Sequence, residues 1–459
     1  MNGEISEMKT IIEPAREIKV LREADIVVVG GGPGGHSAAV SAARNGARTV
    51  LIERYGHLGG MATGGLVAMI PHLSGGSKEP QLAGLCQEWI ERLDAKGAAL
   101  HPEKEDLGSD DPNVIDYWQN RGIWFVSDEG RVRLTVIMDP EILKCVLNDM
   151  VEEAGVKLLL HSWGTRAIVE NDQVKGVIFE SKSGRQAILA KVVIDATGDG
   201  DLLPSAGADF TAKMDVHLRI RNLAVVFKMG NVDLDTFIKF RQTEPEKYAE
   251  LVRQVFLANG FPVGGFRGLQ DGVVWVNNFV PGMGSPRISS LDVEDLTLVE
   301  RYVRKRMMIT LDFYRKRVPG FERSFILTTA PQIGTRGGRR VIGEYTLTEQ
   351  DMHSGRIFTD TIAMAPHLEH DISPEHPVRC FPYRCLVPIK LEGLLVAGRS
   401  FSSEDRVNEM LNLIGHCIAL GQAAGTAASL AIKGGVRLRD VNYADLQKTL
   451  LRQGVPLPI

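Results

Sequence analysis

The sequence predicts an α/β protein, and three observations carry that expectation. Apolar strand-like runs alternate with Ala- and Gly-rich helical stretches at both ends of the chain. Three of those runs pass directly into glycine turns, near residues 30, 198 and 398. The middle of the chain changes grammar, to short β-like runs and a long charged helix. The first two features fit a parallel sheet wound with helices; the third fits a second, α+β lobe inserted into it.

The first unit runs from residue 25 to 53. Asp25-Ile26-Val27-Val28-Val29 reads as a buried strand, and Gly30-Gly31-Gly32-Pro33-Gly34-Gly35 as a turn opening the Ala-rich helix over 37–45. Val50-Leu51-Ile52 is a second strand, ending at Glu53. Strand, glycine turn, helix and an acid about twenty residues on is a Rossmann-like arrangement for a dinucleotide. Gly30 allows the tight turn, Gly32 lets the backbone approach a pyrophosphate, and Gly35 lets helix and strand pack closely. The helix start presents unpaired N–H groups to the phosphates, and Glu53 accepts hydrogen bonds from a ribose.

Residues 11–24, broken by Pro14, read as an extended lead-in to this unit. A glycine-rich loop follows it over 58–65. Residues 78–96 are amphipathic and helical, and 101–122 are acidic and polar, a surface excursion. Asp139-Pro140 starts a helix reaching residue 153, with proline in its first turn. A strand over 156–161 leads into a β-meander over 165–169, 173–180 and 186–189, and 192–195 forms a buried strand before the turn at Gly198. In the middle lie β-like runs at 222–229 and 273–279 and the helix over 292–317, with Met307 and Met308 expected in a core. Residues 393–399 return to a strand and glycine turn, and a helix is expected from Cys417 to about residue 431. The expected organisation is nucleotide-binding segments over 1–75, 131–209 and 386–459, a cap excursion over 76–130 and a substrate or cap domain over 210–385.

With 53 Lys+Arg against 57 Asp+Glu, the chain has no basic excess that would favour nucleic acid or an anionic membrane. No run of about 18 apolar residues suggests membrane insertion. The five cysteines form no CxxC pair, so free thiols in a reducing cytoplasm are expected, Cys380 and Cys385 included. His353, His367, His370 and His376 lack metal-ligand spacing on a helix, and no metal is expected. A possible homo-oligomer is the symmetric prior.

Only the first glycine turn has a downstream acid, so a second pyridine-nucleotide fingerprint is missing. Strand-glycine elements at both ends of the chain suit an extended FAD instead. The 13–18 segment, the first unit, Leu58-Gly59-Gly60-Met61-Ala62-Thr63, Ile194-Asp195-Ala196-Thr197-Gly198-Asp199-Gly200-Asp201, the 339–348 and 394–399 segments, and Ala419-Leu420-Gly421-Gln422-Ala423-Ala424-Gly425 together resemble the FAD-dependent oxidoreductase family. That group is similar to the fumarate reductase and succinate dehydrogenase flavoproteins. The resemblance is collinear from about residue 11 to 455 and implies a Rossmann-like FAD-binding domain, parallel sheet plus β-meander, with an inserted cap.

Carried onto this chain, the resemblance implies that Gly30, Gly32, Pro33, Gly34 and Gly35 meet the pyrophosphate, and that Glu53, with Arg54 beside it, meets the AMP ribose. Gly59, Gly60, Met61, Ala62 and Thr63 would line the pyrophosphate and flavin edge. Gly164 would contact adenine through its backbone, Ala196, Thr197 and Gly198 would close the AMP side, and Gly398 and Arg399 the ribityl side. The helix beginning at Cys417 and Ile418 would aim its N–H groups at the flavin N1–C2=O edge, where reduced flavin carries negative charge. His57 lies where some relatives attach FAD covalently, but in a different local pattern.

Substrate is expected between the lobes, beside the FAD motifs. His416 is the first acid/base or anchoring candidate, kept neutral by the helix dipole. Arg336 could clamp a carboxylate; relatives often have Arg-Glu-Ser-Arg-Arg here, where this chain has Arg-Gly-Gly-Arg-Arg. Tyr383 and Arg384 precede the returning strand and could enter the site. The expected activity is hydride transfer between a small organic substrate and flavin N5, with an external electron donor or acceptor. A fumarate-reductase-like alkene reductase, a flavin-dependent oxygenase and a non-catalytic electron carrier stay open as alternatives.

Overall fold

The computed structural model describes residues 10–214, 223–259, 266–279, 288–366 and 378–458. Its central sheet forms around Lys19–Val29, whose second half is buried and, apart from Asp25, apolar. The strand begins at Lys19 rather than residue 25, because its polar half pairs with residues 186–190 of a long later strand. On one side it pairs in parallel with Thr49–Ile52, which pairs with Lys157–Leu159. On the other side lies Gly184–Asp195, a strand of 12 residues that serves two neighbours in turn. Its first half continues the expected meander through Gln173–Ser181 and Trp163–Glu170. Its last residues pair in parallel with Leu394–Val396, brought from the far end of the chain.

The register makes these strands end level. Val29 stands opposite Ile52 and Asp195, and Asp195 opposite Val396. All the glycine turns therefore leave the sheet at one edge, outside the carboxyl ends of the strands, where such sheets bind ligands.

Two helices converge on that edge. Pro33–Arg44 packs along Ile414–Gly434 with almost no side chain between them: a Cβ on Gly421 would lie 2.0 Å from the Gly34 carbonyl oxygen, and one on Gly425 would lie 2.1 Å from that of Ala38. The Ser41 hydroxyl donates to the Gln422 carbonyl across this contact. The later helix starts at Ile414, not at Cys417. Its N-cap, Leu413, has no capping side chain, so none of the usual polar start signals marks it.

The inserted lobe has its own antiparallel sheet, with Leu223–Gly230 between Val274–Phe279 and Phe325–Thr329. Helix Val293–Arg317 covers it, capped by Asp292 and ending in Arg315, Lys316 and Arg317, which complement its dipole. Phe227, Trp275, Tyr314 and Phe321 fill a core separate from the main one. Met307 joins that core, whereas Met308 is 59% exposed, on the other face of the helix.

The lobe is smaller than the 210–385 span expected from the sequence. Val341, Phe358, Ile362, Phe381 and Tyr383 pack into the core of the parallel sheet instead. Likewise, helix Leu85–Asp94 of the expected cap excursion buries Leu85, Trp89, Ile90 and Leu93 there. Within the polar 101–122 stretch, Asp111 caps a helix over Pro112–Gln119. Among the described residues no single helix is long and apolar enough to cross a membrane. The five cysteines are free. Of the histidines weighed for metal, His367, His370 and His376 lie outside the described residues.

Candidate functional site

The carboxyl edge of the sheet opens into a cleft lined by the glycine turns of both ends of the chain. Its floor is the first glycine turn. Gly30 has φ +98°, and a Cβ there would stand 2.5 Å from the Ala196 carbonyl oxygen, so only glycine makes this turn. Gly32 is different: its backbone is ordinary (φ −67°, ψ −175°), and a Cβ would meet nothing nearer than the Gly60 Cα at 4.0 Å. Gly32 faces the cavity, at the N-cap of Pro33–Arg44, where no side chain satisfies the first-turn amides. That is a ready anion site. Pro33 and Gly34 also line the wall, whereas Gly35 lies behind it, its missing Cβ 1.7 Å from the Gly30 carbonyl oxygen.

Beside this floor, the Gly59 amide donates to the Gly31 carbonyl at 2.8 Å, docking the second glycine loop on the first. Gly60 and Met61 reach the cavity. Gly59, Ala62 and Thr63 support them from behind, with the Thr63 hydroxyl donating to the Leu58 carbonyl. Glu53 lines the wall with its carboxylate already accepting the amides of Gly31 at 2.6 Å and Tyr55 at 2.8 Å. Two carboxylate oxygens offer about four acceptor sites, so capacity for a ribose remains. Arg54 and Gly164 line the same end.

The opposite wall is built on Asp195. Its buried carboxylate accepts the amide and hydroxyl of Thr197 and the amide of Leu202, which shapes the turn carrying Ala196, Thr197 and Gly198 into the cavity. Burial raises its carboxyl above the usual range. Asp201 is pushed up to about 6 by burial and then by the charges of Asp199 and Asp195. Arg399, in the wall with Gly398, donates to Asp199 at 3.1 Å and to Thr335 at 2.7 Å.

Cys417 lines the cavity, but its amide is taken by the Leu413 carbonyl at 3.0 Å. Because the helix starts at Ile414, the unpaired amides belong to its first turn, Ile414 to His416, not to Cys417 and Ile418. Ile418 is buried behind the wall.

None of the four residues singled out for catalysis lies in the cavity wall. His416 sits within the helix's first turn, 1% exposed, its ring 5.9 Å from that of Phe381. Burial, rather than the helix dipole, lowers its imidazole to about 3. Arg336 is half-exposed and lies 3.5 Å from Glu409; its carbonyl accepts the Asn412 side chain just before the helix start. Tyr383 is fully buried, with its hydroxyl donating to the Leu438 carbonyl. Arg384 forks onto the buried Asp360 at 3.0 and 3.1 Å. Both are held by the packing of their turn, away from the cleft. His57 stacks on Tyr55 behind the second loop.

The cavity also takes in residues not expected from the sequence. Asp199 and Asp201 sit inside the motif that placed Ala196–Gly198, and could have been named from it. Tyr55, Ser162 and Trp163 flank named positions. Gln332, Ile333 and Thr335 arrive because Gly334–Thr335 pairs with the lobe strand Leu223–Gly230, a long-range pairing with no local signal.

A parallel sheet whose level strand ends bring glycine turns, the start of Pro33–Arg44 and the Glu53 carboxylate to one cleft defines a dinucleotide-binding enzyme with an inserted lobe. Residues 25–450 match the family described as FAD dependent oxidoreductase, and the chain belongs to that family. It is 27% identical over 176 residues to digeranylgeranylglycerophospholipid reductase 2 of Methanopyrus kandleri, 38% of each chain. It is 29% identical over 204 residues to the thiamine thiazole synthase of Methanococcus vannielii, 42% of this chain and 64% of that one. Neither match spans two thirds of the relative's length. A geranylgeranyl bacteriochlorophyll reductase-like structure from Thermoplasma acidophilum superposes with a TM-score of 0.46 at 14% identity, covering 94% of this chain and 83% of that one. FAD is the family's cofactor, and the cavity fits it: the open position at Gly32, the uncapped start of Pro33–Arg44 and the Glu53 carboxylate are donors and acceptors of the kind an adenine dinucleotide needs.

Proposed function

We propose that this enzyme transfers hydride between a small organic substrate and flavin N5, exchanging electrons with an external donor or acceptor. FAD, when bound, supplies the hydride chemistry; the chain binds, orients and shields. One observation carries the reading: helix Ile414–Gly434 reaches the cavity wall at Cys417 beside Gly398, within a turn of its uncapped start, and Gln332, Ile333 and Thr335 of the lobe line the same cavity. A helix start favours negative charge on a reduced flavin ring placed there. The lobe loop is tied to the same wall, where the Arg399 guanidinium donates to the Thr335 hydroxyl at 2.7 Å.

Gly32, Gly34 and the first-turn amides of Pro33–Arg44 hold the pyrophosphate in this reading, and Glu53 the ribose. Arg399 braces the ring end through Asp199 and Thr335. Arg336, outside the cavity wall and 3.5 Å from Glu409, would anchor a substrate carboxylate from the lobe side only by exchanging Glu409 for it. His416, neutral at working pH, carries one ring proton and stays in the reading as the acid/base candidate buried in the helix's first turn. Tyr383 and Arg384 have no part in the reading.

Anaerobic mixing with a panel of hydroxy acids, sugars, amines and enoates tests it. Substrate of one class should bleach the oxidised flavin, or reoxidise the reduced one, without any other reagent. Rapid electron exchange with a redox dye, together with inertness to every panel member in both directions, would favour the electron carrier.

A further inference from the structure

The segment after strand Met69–Ile70 packs directly on the first turn of helix Ile414–Gly434. A Cβ on Gly415 would stand 2.9 Å from a Leu73 methyl and 3.7 Å from one of Ile70. This contact brings His72 beside His416, close enough for a charge on one ring to oppose a charge on the other. His72 has φ +58°, in the left-handed region that side chains rarely adopt. A frame of neighbours holds it there. Its amide donates to the Thr135 hydroxyl at 3.4 Å, and that hydroxyl donates to the Trp124 carbonyl at 2.7 Å. The Arg133 guanidinium donates to the same carbonyl at 2.8 Å, and the Trp124 indole meets the His72 ring edge to face, centroids 4.9 Å apart. Strained residues supported from several sides cluster at functional sites.

His416 is 1% and His72 4% exposed. Among the described residues, both ring nitrogens of His416 and Nδ1 of His72 are sealed from solvent without a hydrogen-bond partner. The Leu411 backbone lies near the His416 ring but outside hydrogen-bond geometry. Native proteins rarely leave such atoms unpaired. Burial keeps both rings neutral, His72 down to about 2 with the charges of Arg133 and His416 adding to the effect. Each ring therefore carries one N–H and one bare nitrogen, the donor and acceptor that a proton chain needs.

We propose that His72 is a positioning residue for His416, the outer member of a two-imidazole relay that passes protons between His416 and solvent. The inference rests on the reading of His416 as the acid/base group and gives its proton a way out, since a ring this buried cannot exchange with water by itself. When a hydroxyl substrate is oxidised, the hydride carries the electron pair to the flavin and the hydroxyl proton passes to one ring nitrogen of His416. The proton on the other His416 nitrogen moves to His72, directly or through one water, and a proton leaves His72 for solvent. Each ring gains one proton as it gives one, so neither becomes charged where burial makes charge costly. A turn of each ring restores the starting tautomers. Reduction of a carbonyl substrate runs the same chain in reverse.

The experiment moves the full FAD-loaded chain, carrying isotope-labelled histidine, into deuterated water and follows the His416 ring N–H by NMR, its signal assigned by its loss in His416→Gln. His72→Phe keeps an aromatic ring against Trp124 and His72→Gln keeps a polar side chain, but neither takes a proton at one atom while giving one from another. Both should slow His416 exchange, by roughly 100-fold for the loss of one positioned proton transfer. A purely structural role predicts the opposite sign, because loosened packing opens the site more often and speeds exchange. Unchanged or faster exchange in either folded variant overturns the relay. Slowed exchange with undiminished flavin reduction by a substrate of the anaerobic panel overturns its part in the reaction. The exchange itself needs no substrate, so a panel in which nothing bleaches the flavin counts against the hydride reading and is distinguished from failure of the relay.

Discussion

Replacing Gly32 with valine separates binding from folding in a way the neighbouring glycines do not. At Gly32 the backbone has φ −67° and ψ −175°, which any residue adopts, and a Cβ has open space to 4.0 Å. The structural cost is the loss of a good N-cap, about 1 kcal/mol, partly offset by about 0.4–1 kcal/mol from a less flexible unfolded chain. Stability should therefore stay within about 1 kcal/mol of the wild type, a Tm shift of about 1 °C for a chain this long. The isopropyl group would nevertheless stand where the pyrophosphate meets the helix start. Losing two charge-assisted hydrogen bonds at about 1.5–3 kcal/mol each weakens FAD by about 100-fold or more. Gly30→Ala is the contrast, because φ +98° and a contact at 2.5 Å make the same loss a folding defect. Its backbone strain costs about 1–2 kcal/mol and the overpacking about 1–3 kcal/mol more. Urea unfolding of the apo forms, read beside flavin absorbance, distinguishes the two. Gly32→Val that keeps its full flavin complement, or that unfolds as Gly30→Ala does, refutes the placement of the pyrophosphate.

Three further outcomes follow from the site. Arg399→Ala leaves Asp199 without its guanidinium at a largely buried position and should cost about 3 kcal/mol in urea unfolding; Asp199→Asn in that background should restore part of it, and an unchanged midpoint would show the pair to be inert. Asp201, raised to about 6, is neutral below that pH and anionic above it, so FAD, with its anionic pyrophosphate, should bind several-fold more weakly at pH 7 than at pH 5. The folded chain also keeps a proton here that the unfolded chain releases near its ordinary 3.8, so this group's contribution to stability falls as pH rises between those values. Asp201→Asn should flatten both slopes, and FAD titrations at the two pH values check the first. His416→Ala should keep its FAD, lose about 2–4 kcal/mol to the cavity it opens, and reduce flavin more slowly. An unchanged reduction rate would leave the imidazole a packing part, and because burial lowers it to about 3, no limb of the rate profile near pH 6.5 should disappear with it.

The parts of this molecule legible in its sequence are those whose physics is local. The first βαβ unit declares itself by an apolar run, a glycine turn and an acid in order, and the Asp139-Pro140 and Asp292 starts by their caps. The helix at Ile414 has no such cap, and its Ala/Gly run marks packing rather than a boundary, so nothing local signals where it starts. Tyr383 and Arg384 look like site residues in isolation, because their partners Leu438 and Asp360 are distant in sequence. The same holds for the lobe boundary: Phe358, Ile362 and Phe381 carry apolar patterning that fits either core, and they pack in the core of the parallel sheet, where Phe210–Thr211 also pairs with Arg340–Val341. Gln332 and Thr335 enter the cavity by a pairing across more than a hundred residues, which no turn or period announces.

The measurement that bears most directly on the whole account is identification of the bound small molecule. Protein purified without added cofactor, or apo protein incubated with FAD and desalted, should show a flavin spectrum. Heat or acid should then release FAD, not FMN, close to one per chain. A folded, monodisperse preparation that stays colourless after incubation with FAD would contradict the account at its root.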